Sequence, residues 1–210
     1  MPPSALEALT RLREGNRRFV EGVRSLDALL SPMRRTELAD QQAPFAIVLG
    51  CSDSRVPAEI VFDQGLGDLF VIRVAGNIVA PSQVGSVEFA AALFETPLVV
   101  VLGHSGCGAV VATLDEVRAR SRHSPAVRSI VDRIRPAVET VLGAGVQGDE
   151  HVVEAAVRAN VRAAADHLRH ASPSLESLIA AGRLVVIGAE YSLATGMVDF
   201  FDAVGLVPDE

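Results

Sequence analysis

The sequence predicts an α/β domain with a mainly parallel β-sheet flanked by helices. Three observations lead there. Four short runs rich in Val, Ile, Leu and Phe, at residues 44–50, 68–75, 97–103 and 183–189, have the length and composition of strands. Their near-continuous hydrophobicity calls for cover on both faces, as in parallel sheets. Helix-period segments lie between them, and alternation of strand with helix implies crossover units.

Taken in order, residues 4–21 place Leu6, Leu9, Leu12 and Phe19 near helical spacing, while Arg11, Arg13, Arg17 and Arg18 take other positions. That pattern predicts an amphipathic helix lying across the parent domain or a partner. The first strand runs into Gly50-Cys51-Ser52-Asp53-Ser54-Arg55. A helix is expected over residues 83–95, with Val84, Val87, Ala91 and Phe94 on one side, and the third strand runs into Gly103-His104-Ser105-Gly106-Cys107-Gly108. Residues 118–148 are polar and then glycine-containing, with breaks expected at 121–125 and 143–148. An Ala- and Arg-rich helix is expected over residues 152–170, ahead of the fourth strand. The 210 residues read as one domain, with residues 1–40 as an N-terminal helical arm.

Composition removes several classes of function. The 26 acids outnumber the 19 bases for a net charge of −7, the wrong sign for nucleic acid or an anionic membrane surface. Every base is Arg, so Schiff-base chemistry, pyridoxal attachment and a phosphate-loop lysine are excluded. Apolar runs are far shorter than a bilayer span, and the opening Met1-Pro2-Pro3-Ser4 lacks the basic-then-apolar pattern of an export signal, so a cytoplasmic protein is expected. In that compartment two cysteines are buried small residues, metal ligands or a reactive thiol rather than a bridge.

The unusual side chains lie in the turns after the first and third strands. In open parallel sheets ligands bind beyond the carboxyl ends of strands where their order reverses. If those two strands are neighbours, Cys51, His104 and Cys107 converge across the intervening sequence, and two thiolates with one imidazole suit zinc with a fourth position open. Two other readings stand beside this one. Each turn can hold ordinary buried residues, or residues 103–108 can be a glycine-rich anion loop at a helix N-terminus, although lysine and a Gly-x-Gly-x-x-Gly fingerprint are missing.

The stretches Cys51-Ser52-Asp53-Ser54-Arg55 and Gly103-His104-Ser105-Gly106-Cys107-Gly108 resemble the two zinc motifs of the β-class carbonic anhydrases. Similarity extends to Leu12-Arg13-Glu14-Gly15-Asn16-Arg17-Arg18-Phe19, to Phe62-Asp63-Gln64-Gly65-Leu66-Gly67-Asp68, and to residues 182–196 around Tyr191. It is dense over residues 42–112, returns over 182–200 and is thin between.

The resemblance implies Zn²⁺ on Cys51, His104 and Cys107, activating water for the reversible hydration of CO₂ to bicarbonate. Two thiolates cancel the ion's formal charge, so other groups must help. Asp53, held by Arg55 in a charge-assisted pair, is the expected acceptor, against a plain salt bridge as the alternative. The resemblance maps Gln42, Phe70, Ala75, Phe89 and Gly108 to a small apolar substrate pocket, with Ala75 in place of a usual Val and Phe89 in place of a usual Tyr. It also implies a homodimer or homotetramer, with N-terminal helices packing on a partner subunit and Gln42 at a subunit boundary. Some bacterial members hold an inhibitory bicarbonate with Trp, Arg and Tyr; Arg73 and Tyr191 match two of these, but Val48 stands at the third, which implies little cooperative inhibition. His123, His151, His167 and His170 are expected on solvated surfaces. Two alternatives accompany this reading: hydrolysis of carbonyl sulfide or carbon disulfide at the same zinc, and a metal-free anion-binding regulatory module.

Overall fold

The computed structural model describes residues 2–23, 35–36, 38–120 and 123–202. Five strands, β1 (Ala46–Gly50), β2 (Leu69–Arg73), β3 (Leu98–His104), β4 (Val185–Tyr191) and β5 (Val198–Phe201), form one sheet in the order β2-β1-β3-β4-β5. The first four are parallel and β5 is antiparallel to β4. The four expected strands are all present. The fifth escaped the sequence reading because its four residues, Val198-Asp199-Phe200-Phe201, follow a tight turn closed by Ser192 N–H on the Met197 carbonyl and carry no alternation long enough to register.

Helix α1 (Ala5–Glu21) starts in a capping box, in which the Ser4 hydroxyl accepts from the Glu7 N–H and the Glu7 carboxylate accepts from the Ser4 N–H. It ends at Gly22 in the left-handed region. Ala8, Leu9 and Leu12 bury that helix's apolar face on its own chain, beside Phe62, Leu98 and Ile187, which leaves the exposed Leu6 and Val20 for any second subunit. Within the arm expected over 1–40, Met1, residues 24–34 and Glu37 lie outside the described residues.

Two of the motifs noted above are halves of one contact. Gly15 lies against the short helix α2 (Ala58–Val61) and the loop after it, where a Cβ would come within 1.8 Å of the Phe62 carbonyl oxygen. Arg11 pairs with Asp68 at 2.9 Å and bonds Gln64, Arg18 pairs with Asp63 at 2.6 Å, and Asn16 donates to the Val61 and Gly196 carbonyls while accepting from the Val198 N–H.

The opposite face of the sheet is covered by α3 (Pro81–Leu93), α6 (Asp149–Arg169) and α7 (Pro173–Ala180). A third apolar cluster joins α4 (Gly108–Val117), α5 (Pro125–Gly143) and α6 around the two ligand-bearing turns, and it includes Cys51 and Cys107. Helix α5 fills the stretch read only as polar between two breaks. Its buried face, Val131, Ile134, Val138 and Val141, has helical spacing, but the surrounding Arg and Asp residues and the internal Pro136 obscured it. The break expected at 121–125 includes Ser121 and Arg122, outside the described residues; Ser124 caps α5. No helix among the described residues is long and apolar enough to cross a membrane.

Two predictions follow from this packing. Gly→Ala inside a helix ordinarily gains about 0.5–1 kcal/mol, but in Gly15→Ala the clash with a backbone carbonyl dominates, and overpacking of this kind costs about 1–3 kcal/mol. Urea unfolding should show a lowered midpoint; a raised one would contradict the packing described. At the start of α6, the Arg118 guanidinium, followed by that of Arg120, holds Asp149 below its ordinary carboxylate value. A depressed carboxylate stabilises the fold above its unfolded value of about 3.9 and loses that contribution as pH falls through the folded value. The stability gap between the wild type and Asp149→Asn should therefore be present at pH 7 and close in strong acid, and thermal melts across pH 2–7 will measure it.

Candidate metal centre

Strand β1 pairs with β2 on one side and β3 on the other, so the chain reverses its direction of travel across the sheet between β1 and β3. Gly50 stands opposite Leu102, which brings the turns after both strands to one edge. Cys51 is the first residue past β1, His104 closes β3, and Gly106, at φ 63, turns the chain so that Cys107 occupies the N-cap of α4. The ligand atoms of Cys51, His104 and Cys107 all lie within 4.8 Å of one another, and all three residues are buried. Neither cysteine is in a disulfide.

The donor set fits a metal. His104 Nδ1 lies 3.1 Å from the Ser105 carbonyl oxygen, which can only accept, so the proton is assigned to Nδ1 and the Nε2 lone pair faces the two sulfurs. Buried Nε2 has no hydrogen-bond partner, a costly condition unless it serves as a ligand. A hydrogen bond from the Cys107 thiol pulls Cys51 below the ordinary thiol value, and the same bond, with burial, pushes Cys107 up. A divalent ion between the two sulfurs favours thiolate at both. Burial opposes protonation of His104, but the Cys51 thiolate, the Ser105 carbonyl and Asp53 together outweigh it and raise its value.

Asp53 is gripped by Arg55. The Arg55 Nε and backbone N–H both donate to Oδ1, at 2.9 and 3.0 Å, and Nη2 donates to Oδ2 at 2.8 Å. These bonds hold the Asp53 carboxyl well below the usual carboxylate range. Oδ1 is thereby saturated, while Oδ2 keeps a free lone pair and lies 3.9 Å from His104 Nε2.

Arg73 has a role that the sequence reading did not assign. Its Nε donates to the Cys51 carbonyl at 3.0 Å and its Nη2 to the Asp53 carbonyl at 2.6 Å, so both groups clamp the turn's backbone. Tyr191 lies opposite His104 in the sheet and packs on Phe19, and Val48 is fully buried in β1.

The five expected pocket residues separate into two groups. Ala75 opens a 3-10 turn, Ala75–Asn77, whose Gly76 N–H reaches Cys51 Sγ at 3.3 Å, and Gly108 directly follows Cys107. Phe70 instead stands opposite Ile47, four residues before Cys51, or about 13 Å along the strand. It forms an aromatic cluster with Phe89 and Phe94 beside β2, the end strand of the described sheet, and Gln42 is exposed in the segment leading to β1. One chain therefore gathers Ala75 and Gly108 at the centre but not Gln42, Phe70 or Phe89.

Comparison with known proteins agrees with this geometry. A family model described as carbonic anhydrase matches residues 46–198. The chain is 40% identical over 207 residues to a carbonic anhydrase of Mycolicibacterium smegmatis, covering 98% of each. Among solved structures it superposes on the β-carbonic anhydrase CcaA with TM-score 0.76 at 29% identity, covering 97% of this chain and 93% of that one. A tetrameric β-carbonic anhydrase of the ascomycete Sordaria macrospora matches with TM-score 0.74 at 25% identity, over 82% and 87%. The paired turns, the strand order that joins them and these matches agree: the chain belongs to the carbonic anhydrases, enzymes of carbon dioxide hydration, and within them to the β class.

Proposed function

We propose that this carbonic anhydrase interconverts CO₂ and bicarbonate with Zn²⁺ held by Cys51, His104 and Cys107. The observation that carries the proposal is the buried, unpartnered His104 Nε2 facing two sulfurs within 4.8 Å. Two sulfurs and one nitrogen are a donor set that zinc accepts while keeping a position open. When bound, such a metal supplies the Lewis acidity that makes water a nucleophile near neutral pH.

The protein's part lies in orientation. Arg55 fixes Asp53 so that Oδ2, the oxygen with a spare lone pair, accepts a hydrogen bond from the reacting water and turns one of its lone pairs towards the CO₂ carbon. Arg73 keeps the Asp53 backbone in place while this happens. Ala75 and Gly108 present little bulk beside the centre, as a small linear apolar substrate requires.

The chain works as a homodimer or homotetramer in this reading. Phe89 is 55% exposed and Leu93 60% exposed, beside β2, which ends the sheet among the described residues, and we assign Gln42, Phe70 and Phe89 to the pocket of the neighbouring subunit. The tetrameric Sordaria macrospora relative supports that assembly. The reading includes a cytoplasmic location, where thiols are kept reduced and two free, mutually close cysteines remain available as ligands.

Four measurements test the proposal. Elemental analysis should give about one zinc per chain, lost together with activity in Cys107→Ala; full occupancy in that variant would remove the ligand assignment. Asp53→Asn and Arg55→Ala should keep zinc yet lose about 10²-fold or more in stopped-flow CO₂ hydration. Wild-type turnover in either would reduce the pair to a salt bridge, and carbonyl sulfide hydrolysed faster than CO₂ in a parallel assay would overturn the substrate. Phe89→Arg should shift sedimentation towards a monomer of low activity, and a fully active monomer would contradict the shared pocket.

A further inference from the structure

Asn160 is a polar residue on the buried face of α6, among Ala156, Val157, Val161 and Ala164, and is itself only 3% exposed. Its Nδ2 donates to the Gly76 carbonyl at 2.9 Å, a contact between residues 84 apart in sequence. It reaches that far because α6 is seated deep on the sheet. A Cβ at Gly103 would come within 2.5 Å of the Val161 side chain and one at Gly188 within 2.9 Å, so the two glycines make the depression that Val161 fills.

The receiving turn is constrained from several sides. Gly76 has φ 70, and a Cβ there would come within 2.6 Å of Ile134 Cδ1. Asn77, with φ 43, also lies in the left-handed region, and its buried Nδ2 has no partner. Left-handed non-glycine residues persist only where their surroundings over-determine them. What this arrangement delivers is one group at the centre, the Gly76 N–H at 3.3 Å from Cys51 Sγ.

We propose that Asn160 is a positioning residue for the metal centre, fixing the Gly76 turn so that its N–H hydrogen-bonds the Cys51 sulfur and draws charge away from the metal. A sulfur that accepts a hydrogen bond donates less electron density to the ion, which opposes the charge cancellation by two thiolates. Outer partners of this kind tune ligand and metal together. The inference rests on the ligand assignment above.

The experiment uses the full-length protein loaded with ¹¹³Cd or with Co²⁺. In the wild type, the Gly76 amide proton should show scalar coupling to ¹¹³Cd through the N–H···S contact. In Asn160→Leu and Asn160→Asp, which remove the donor at similar size, that coupling should vanish. The thiolate-to-Co²⁺ charge-transfer band should move to lower energy, because the sulfur regains the electron density that the N–H had drawn off. Retained coupling and an unmoved band in a folded, loaded variant would make Asn160 a packing residue and overturn the proposal. No Gly76 coupling in the loaded wild type would overturn it whether or not the variants fold. Failure of the wild type to bind ¹¹³Cd or Co²⁺ at all would instead count against the ligand assignment.

Discussion

The hydrogen-bonded pairing of β1 with β3 is the constraint on which the candidate site depends. Cys51 follows β1 and His104 closes β3, and nothing local in either turn brings them together. Because the chain enters β1, departs to β2 on one side and returns to β3 on the other, both turns leave the sheet at the same edge and level. The third apolar cluster then closes around them, so two thiols and an imidazole meet where the dielectric is low and unpaired charge is costly.

That environment accounts for the division of labour around the turn. The buried groups, Cys51, Cys107 and His104, can be charged only in combination, whereas Asp53 is ionised by its direct grip on Arg55 at the mouth. Arg73 serves neither group's side chain and holds main-chain carbonyls instead, so its charge is spent on keeping the turn's shape.

The sequence made the site more legible than the frame around it. Metal-binding side chains in paired turns are chemically conspicuous, and the four parallel strands are short runs rich in Val, Ile and Leu. The weaker signals came from elements whose stability is borrowed: β5 exists through pairing with β4, and α5 hides a regular buried stripe beneath arginines and a proline. Asn160 carried a signal that was overlooked, since it interrupts an apolar face at positions 156, 157, 160, 161 and 164. The role of Arg73 had none, because which backbone carbonyls an arginine meets is a tertiary fact. The motifs at residues 12–19 and 62–68 were recognisable as text, yet their physical sense, two surfaces of one contact around Gly15, emerged only from the packing.

Asn16 fastens α1 to the turn before β5 and to Val198 within it, joining residues 182 positions apart. On the ribosome this contact cannot form until almost the whole domain has been made. At about 5–20 residues per second, α1 waits on the order of 10–40 s for its last partners. Throughout that interval Leu9 and Leu12 lack the shelter of Ile187 and Ala189, which lie in the late-made strand β4. Helix α1 is thus made long before the contacts that complete it, and its apolar stripe stays uncovered on that side until β4 and β5 arrive.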